Sequence, residues 1–198
     1  MDPDRQHFLR SIEAFGEVVA TVDDPAAWDL LSPCTQWSAG DIVGHVVAVQ
    51  HAIAATIAGR RAPMNPMVQP RRHAGDDPGA SWRAAADVVR TAIRAPGVLD
   101  QMVTTWRGHT TVASMLAYNV GDTTVHTWDL ARAVGADADL DPELVGAALA
   151  LYEPIAHTMR DPPVFGTAIV VDPAARAQDR LLALVGRHPD WTPTSARS

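Results

Sequence analysis

The chain of 198 residues has very little cysteine, few aromatic residues and no excess of basic charge. Its single cysteine, Cys34, excludes an intrachain disulfide, a zinc ribbon and a Cys-x-x-Cys redox pair, so a reducing cytoplasm is the predicted setting. The formal net charge of -7 argues against a nucleic-acid binder, because such proteins present basic surfaces to phosphates. The locally basic stretch 60–72 is rich in proline, and we expect it to form a loop.

Long apolar runs are also scarce. The first ten residues are charged and lack the apolar centre of a secretory signal. We find no apolar run that approaches the ~20 residues of a membrane-spanning helix, so no membrane partner is predicted. Hydrophobic residues still make up 47% of the sequence, enough for a folded core without covalent cross-links.

Helical periodicity dominates the first half of the chain. Apolar residues recur every three or four positions over 5–22, which predicts an amphipathic helix. A second helix is predicted to begin at the N-cap Ser38, with Asp41 completing a capping box, and to stop near Gly59. The Pro-rich residues 60–78 are predicted to be a long loop, of the kind that often carries function.

The second half continues the helical pattern. A third helix is predicted over 79–95, followed by strand character over 102–106. A long fourth helix is expected to start at a cap on Thr110 or Thr111 and to end at Gly135. A fifth helix follows Asp141, and a short extended piece then leads to a final helix.

The predicted fold is therefore mainly all-α: an antiparallel four-helix bundle with extra short helices and a short strand pair. We expect one domain over 1–198, with a core of about 6–135 and a helical extension of about 136–190.

The fourth helix carries Asp122, His126 and Asp129 at helical spacing within an otherwise apolar segment. A helix that is apolar on most sides is usually buried, and a buried carboxylate beside an imidazole must be paired or bind a metal. On this interpretation Asp122 and His126 are two metal ligands. The alternative is that the three residues form a solvated face with ordinary intrahelical pairing.

The second helix adds a third candidate ligand. His45 lies about 60° from the centre of that helix's apolar stripe, so it should point inward, whereas His51 should face water. Two imidazoles and one carboxylate on two helices are typical of a catalytic metal site with an open coordination position.

Other candidate residues receive more ordinary interpretations. Asp129 either orients an imidazole or an incoming group, or forms an ion pair with Arg132 or with another helix. Trp37 and Trp128 are expected to fill the core, and Cys34 to be a packed structural thiol. The remaining histidines are expected on the surface or in loops: His7, His73, His109, His157 and His188.

Two segments, "CTQWSAGDIVGHVVAVQHAIAATIAG" and "VHTWDLARAVG", resemble the signature segments of the DinB-like metal-binding superfamily. The closer resemblance is to its actinobacterial branch, which includes mycothiol-dependent maleylpyruvate isomerase and mycothiol transferases. The segment "AQDRLLALVGRHP" is similar to the tail of that group.

The resemblance implies a four-helix core that binds one divalent metal through His45, Asp122 and His126. The isomerase carries Glu where this chain has Asp122, and the shorter side chain requires a closer approach to the metal or a bridging water. In such proteins the metal is thought to bind the cofactor thiol and to lower its pKa, as metal coordination generally does.

The sequence thus predicts a metal-dependent transferase or isomerase in which a thiolate, of mycothiol type, attacks a small electrophilic substrate. Zinc is the expected metal, and nickel or iron(II) would suit the same ligands. A homodimer is left open. Two alternatives remain: a hydrolase that uses metal-bound water, and a non-catalytic metal-binding or ligand-binding stress-response protein.

Overall fold

The structure is a computed structural model, and it describes residues 2–158 and 165–193. Within these ranges the chain is mainly helical, with a single small antiparallel sheet. The elements are α1 (Pro3–Ala20), α2 (Ala39–Ile57), α3 (Pro78–Ala92), β1 (Met102–Thr105), β2 (Gly108–Thr111), α4 (Val112–Val134), α5 (Pro142–Ile155) and α6 (Ala177–Leu184). The prediction of a mainly α-helical fold with a short strand pair is confirmed.

The helix ends follow the local signals in the sequence. The Ser38 hydroxyl accepts a hydrogen bond from the Asp41 N–H, and the Asp41 carboxylate accepts one from the Ser38 N–H, which completes the predicted capping box. Thr111 caps α4, and Gly135 ends it with a φ of 74°, a conformation that glycine adopts without strain. Asp141 caps α5.

Two apolar clusters hold the helices together. In the larger cluster α1 packs against α3 and α4, and α2 packs against the same two helices. Its largest fully buried members are Phe8, Phe15, Ile12, Ile42, Ile93, Leu116, Leu130 and Leu144. The smaller cluster joins α4 to α5 and α6, and contains Val125, Val145, Leu149, Tyr152, Leu181 and Val185. The C-terminal helices therefore cover a side of α4 that would otherwise be exposed.

The prediction of a loop over residues 60–78 is wrong for the second part of that range. A 3₁₀ helix, Pro70–Ala74, packs directly on α2, and α3 already begins at Pro78. The close approach depends on Gly44, since a Cβ at that position would lie 1.9 Å from the Pro70 carbonyl oxygen. The described residues 165–176 contain no assigned strand and lead to the predicted final helix, α6.

Helix α2 contradicts the prediction that no apolar run approaches the length of a membrane-spanning helix. Its 19 residues are long and apolar enough, by length and composition, to cross a membrane. However, 67% of its most apolar window is buried inside the protein, as expected for the central helix of a folded core.

Candidate metal centre

The structure brings the three predicted ligands together. His45 lies near the middle of α2, while Asp122 and His126 lie one turn apart on α4. The His45 Nε2 atom is 3.5 Å from Asp122 Oδ2, and the His126 Nε2 atom is 3.8 Å from Asp122 Oδ1. One ligand atom from each residue lies within 4.8 Å of the others, a spacing that can enclose a single ion.

The burial of these side chains excludes the solvated-face interpretation. His45 and His126 are buried, and Asp129 is fully buried, while the Asp122 side chain keeps 23% exposure. The reason is tertiary: α2 covers one side of α4, and α5 covers another.

Each imidazole is held through its Nδ1 atom. His45 Nδ1 lies 3.2 Å from the Pro66 carbonyl oxygen, and His126 Nδ1 lies 3.0 Å from Asp129 Oδ2. Both partners are acceptors, so each Nδ1 carries the proton and donates it. Each Nε2 of a neutral ring then presents a lone pair toward Asp122, as metal-binding histidines do.

This arrangement leaves buried polar atoms without partners. His45 Nε2 and Asp122 Oδ2 are both buried and accept no hydrogen bond within the described part of the chain. Two lone-pair-bearing atoms facing each other repel, and native proteins rarely leave such groups unsatisfied. A cation between them would remove the conflict, and a set of two imidazole nitrogens and one carboxylate suits a divalent transition metal. The residues present therefore fit the group that the resemblance implies.

Electrostatics keep Asp122 ionised. Burial raises the pKa of this carboxyl group, but the protonated forms of His45 and His126, together with Arg187, more than offset that effect and lower the pKa to about 2. The carboxylate is therefore available as a ligand at neutral pH without losing a proton first.

Arg187 is the residue of this centre that the sequence did not reveal. It lies just after α6, and its guanidinium binds Asp129 through both oxygens: Nε to Oδ1 at 3.1 Å and Nη2 to Oδ2 at 2.9 Å. Burial raises the pKa of Asp129, but Arg187 and His126 outweigh it and lower that pKa below its ordinary value. Asp129 thus orients an imidazole and also forms an ion pair, but with Arg187 rather than Arg132. The nearest signal was the family-like tail "AQDRLLALVGRHP".

The residues before α2 form one wall of the centre. Trp37 is half-buried, and its ring centroid lies 4.9 Å from that of His45 and 5.8 Å from that of His126. Trp37 therefore packs on the imidazoles as well as on the core, whereas Trp128 is buried in the interior as predicted. Cys34 also packs against the core, and burial raises the pKa of its thiol to about 12.

Two further segments lie near the centre. The loop contributes the Pro66 carbonyl on His45. The tip of the β1–β2 hairpin covers Tyr118, which precedes Asp122 by one turn of α4: the Arg107 guanidinium lies 4.6 Å from the Tyr118 ring centroid. Burial raises the pKa of Tyr118, and the nearby Asp122 raises it further.

The other histidines do not join the centre. His45, Asp122 and His126 form the one group of three or more potential ligands found in residues 2–158 and 165–193. His109, His157 and His188 are exposed, as predicted. His51, which was expected to face water, is half-buried, and burial lowers its pKa. His7 and His73 are half-buried as well.

Comparison with known proteins identifies the family of the chain and agrees with its fold. Residues 8–131 match the model of the mycothiol maleylpyruvate isomerase N-terminal domain. The chain belongs to this family. The match includes all three candidate ligands and ends before α5, α6 and Arg187.

The chain is also similar to relatives in sequence and to a solved structure. The chain is 31% identical over 158 residues to an uncharacterized protein found in two strains of Mycobacterium tuberculosis, covering 78% of this chain and 81% of that protein. It also resembles the crystal structure of a histidine-to-alanine mutant of mycothiol-dependent maleylpyruvate isomerase, with a TM-score of 0.63 and 16% identity. That likeness covers 87% of this chain and 77% of the other, and it supports the DinB-like fold.

Proposed function

We propose that this protein is a divalent-metal-dependent enzyme that uses a mycothiol-type low-molecular-weight thiol, as a transferase or an isomerase acting on a small electrophile. The metal would be held by His45, Asp122 and His126, with zinc the first choice. A reducing cytoplasm is the proposed setting, because the cosubstrate thiol must stay reduced.

One observation carries the metal part of the proposal. The two Nε2 atoms converge on Asp122 while their Nδ1 atoms are held elsewhere, and His45 Nε2 and Asp122 Oδ2 are buried without partners. A purely structural cluster would be expected to satisfy these atoms by hydrogen bonds within the protein.

The residues around the ligands have separate tasks. Asp129 and the Pro66 carbonyl hold the two Nδ1 protons and so keep both Nε2 lone pairs free. Trp37 covers one side of the imidazoles and excludes water there. A divalent metal supplies the chemistry of lowering the pKa of a bound thiol, so that the thiol reacts as a nucleophile.

The nucleophilic sulfur must come from a cosubstrate. Cys34 is the single cysteine in the sequence, and burial raises the pKa of its thiol to about 12, so it remains protonated near neutral pH. The related protein of known structure is by name mycothiol-dependent. A thiol of that class, entering beside the partly exposed Asp122, would supply the nucleophilic sulfur that Cys34 does not.

The metal assignment is tested by analysis of protein prepared without chelators. We expect close to one equivalent of divalent ion per chain, lost in His126→Ala. His109→Ala is the matched control, since His109 is an exposed histidine on β2 and should leave the metal content unchanged. Full metal retention in folded His126→Ala would overturn the assignment.

The thiol requirement is tested by turnover of electrophile and ester panels with and without added mycothiol or a close analogue. Turnover that depends on both metal and thiol supports the proposal. Metal-dependent ester hydrolysis without thiol would instead support a hydrolase, and no turnover in a metal-loaded protein would support a non-catalytic binding role.

A further inference from the structure

We propose that the C-terminal segment completes the metal centre, with Arg187 acting as a positioning residue for the ligand His126 through Asp129. The inference rests on the metal site of the proposed function and extends it to a part of the chain outside residues 8–131, the stretch matched by the family model.

The geometry forms a continuous chain of contacts. Asp129 Oδ2 accepts from His126 Nδ1 at 3.0 Å and from Arg187 Nη2 at 2.9 Å, while Oδ1 accepts from Arg187 Nε at 3.1 Å. The planar guanidinium thereby fixes the plane of the carboxylate. Because the same oxygen receives the imidazole proton, fixing that plane also fixes the direction of the His126 Nε2 lone pair.

A glycine turn at the end of α6 directs the chain at Arg187 toward α4. The Arg187 N–H donates to the Leu182 carbonyl and the Gly186 N–H donates to the Ala183 carbonyl, the two bonds of a Schellman motif at the end of α6. Gly186 has a φ of 81°, and a Cβ there would lie 2.7 Å from the backbone of Gly166. Glycine is therefore required for the turn that sends Arg187 back toward α4.

Apolar packing anchors the same turn. Leu181 and Val185 of the C-terminal segment are buried in one cluster with Val125, the residue that directly precedes His126 on α4. The Gly166 N–H also donates to the Val185 carbonyl. This docking brings Arg187 to Asp129 with only 11% of its side chain exposed, so solvent screens the pair weakly.

A purely structural role for the ion pair makes a different prediction. Buried ion pairs often add little net stability compared with apolar residues of similar size. A pair kept only for folding should leave metal affinity unchanged when the protein still folds. A pair that orients His126 should change metal affinity and the state of the His126 ring.

The experiment compares Arg187→Met and Arg187→Lys with the wild type. The control is Arg180→Met, which removes an arginine of α6 whose partner is the exposed Glu153 of α5 and not a residue of the metal centre. Zn²⁺ or Co²⁺ affinity is measured by competition with a chromophoric chelator, after circular dichroism establishes folding. We expect Arg187→Met to weaken metal binding by about 10–100-fold, as measured for lost supporting contacts in other metal sites. Arg187→Lys, which keeps the charge but loses the fork, should fall in between, and Arg180→Met should match the wild type.

Metal affinity within twofold of the wild type in folded Arg187→Met would overturn the proposal; if that variant does not fold, Arg187→Lys with wild-type affinity would do so. A second readout needs no metal: ¹⁵N NMR of the metal-free protein should give the Nδ1–H tautomer of His126 in the wild type and a mixed state in Arg187→Lys. If the wild type binds no metal, the proposed function fails. The role of Arg187 is then decided by NMR alone: a His126 tautomer that changes in Arg187→Lys supports it, and an unchanged tautomer contradicts it.

Discussion

A single added methyl group at Gly44 tests how the 3₁₀ helix Pro70–Ala74 supports the metal ligands. Gly44 directly precedes His45 on α2, and an added Cβ would lie 1.9 Å from the Pro70 carbonyl oxygen, where ordinary contact begins at 3.4 Å. The segment must therefore move by about 1.5 Å in the Gly44→Ala variant. Pro66, whose carbonyl holds His45 Nδ1, lies only four residues before Pro70, so the ligand should be disturbed as well.

The magnitude follows from a matched glycine. Gly146 of α5 is also inside a helix, but an added Cβ there meets no atom within 4 Å. Both substitutions gain the helix propensity of alanine, about 1 kcal/mol, so the difference between them isolates the steric contact. We expect Gly44→Ala to have a free energy of unfolding about 1–3 kcal/mol below that of Gly146→Ala, as for other overpacked sites.

The assay is urea unfolding of both variants without metal, followed by measurement of Zn²⁺ affinity. Gly146→Ala should bind metal like the wild type, and Gly44→Ala should bind more weakly because His45 loses its fixed orientation. Equal unfolding free energies and equal affinities for the two variants would refute the packing of residues 70–74 against α2 as a support of the site.

Three further outcomes are expected. The wild type with metal at 100 times its Kd should melt about 5–10 °C higher than the same protein after chelation, because metal binding then contributes about 2.7 kcal/mol. Equal melting temperatures would contradict a metal site in the folded state. Burial raises the pKa of Asp122, but its neighbours lower it from 3.8 to about 2, so the metal-free protein should lose stability as the pH falls through this interval. Asp122→Asn, compared by urea midpoint between pH 2 and 7, should lose less there. Cys34, whose pKa burial raises to about 12, should react with a thiol reagent only on unfolding, and rapid labelling of the native protein would contradict its packed position.

The candidate site shows which of its residues sequence patterns could predict and which they could not. Spacing on one helix predicted that Asp122 and His126 share a face, and the apolar stripe of α2 predicted that His45 points inward; all three side chains meet. The same reasoning did not predict that His51 is half-buried, because the apolar stripe describes only one face of α2. The partner of Asp129 was also missed, since Arg187 is separated from it by 58 residues and no periodicity links them.

The sequence by itself determined the helices, their caps, the helix face that Asp122 and His126 share and the place of His45 at the edge of an apolar stripe, because these depend on residues a few positions apart. Only the tertiary structure decided that α5 and α6 cover α4, that Pro66 and Asp129 hold the two imidazoles, and that Arg187 reaches Asp129. Those contacts join segments that are distant in the sequence. Whether such segments approach each other depends on how the whole core packs, so no local sequence pattern predicts these contacts.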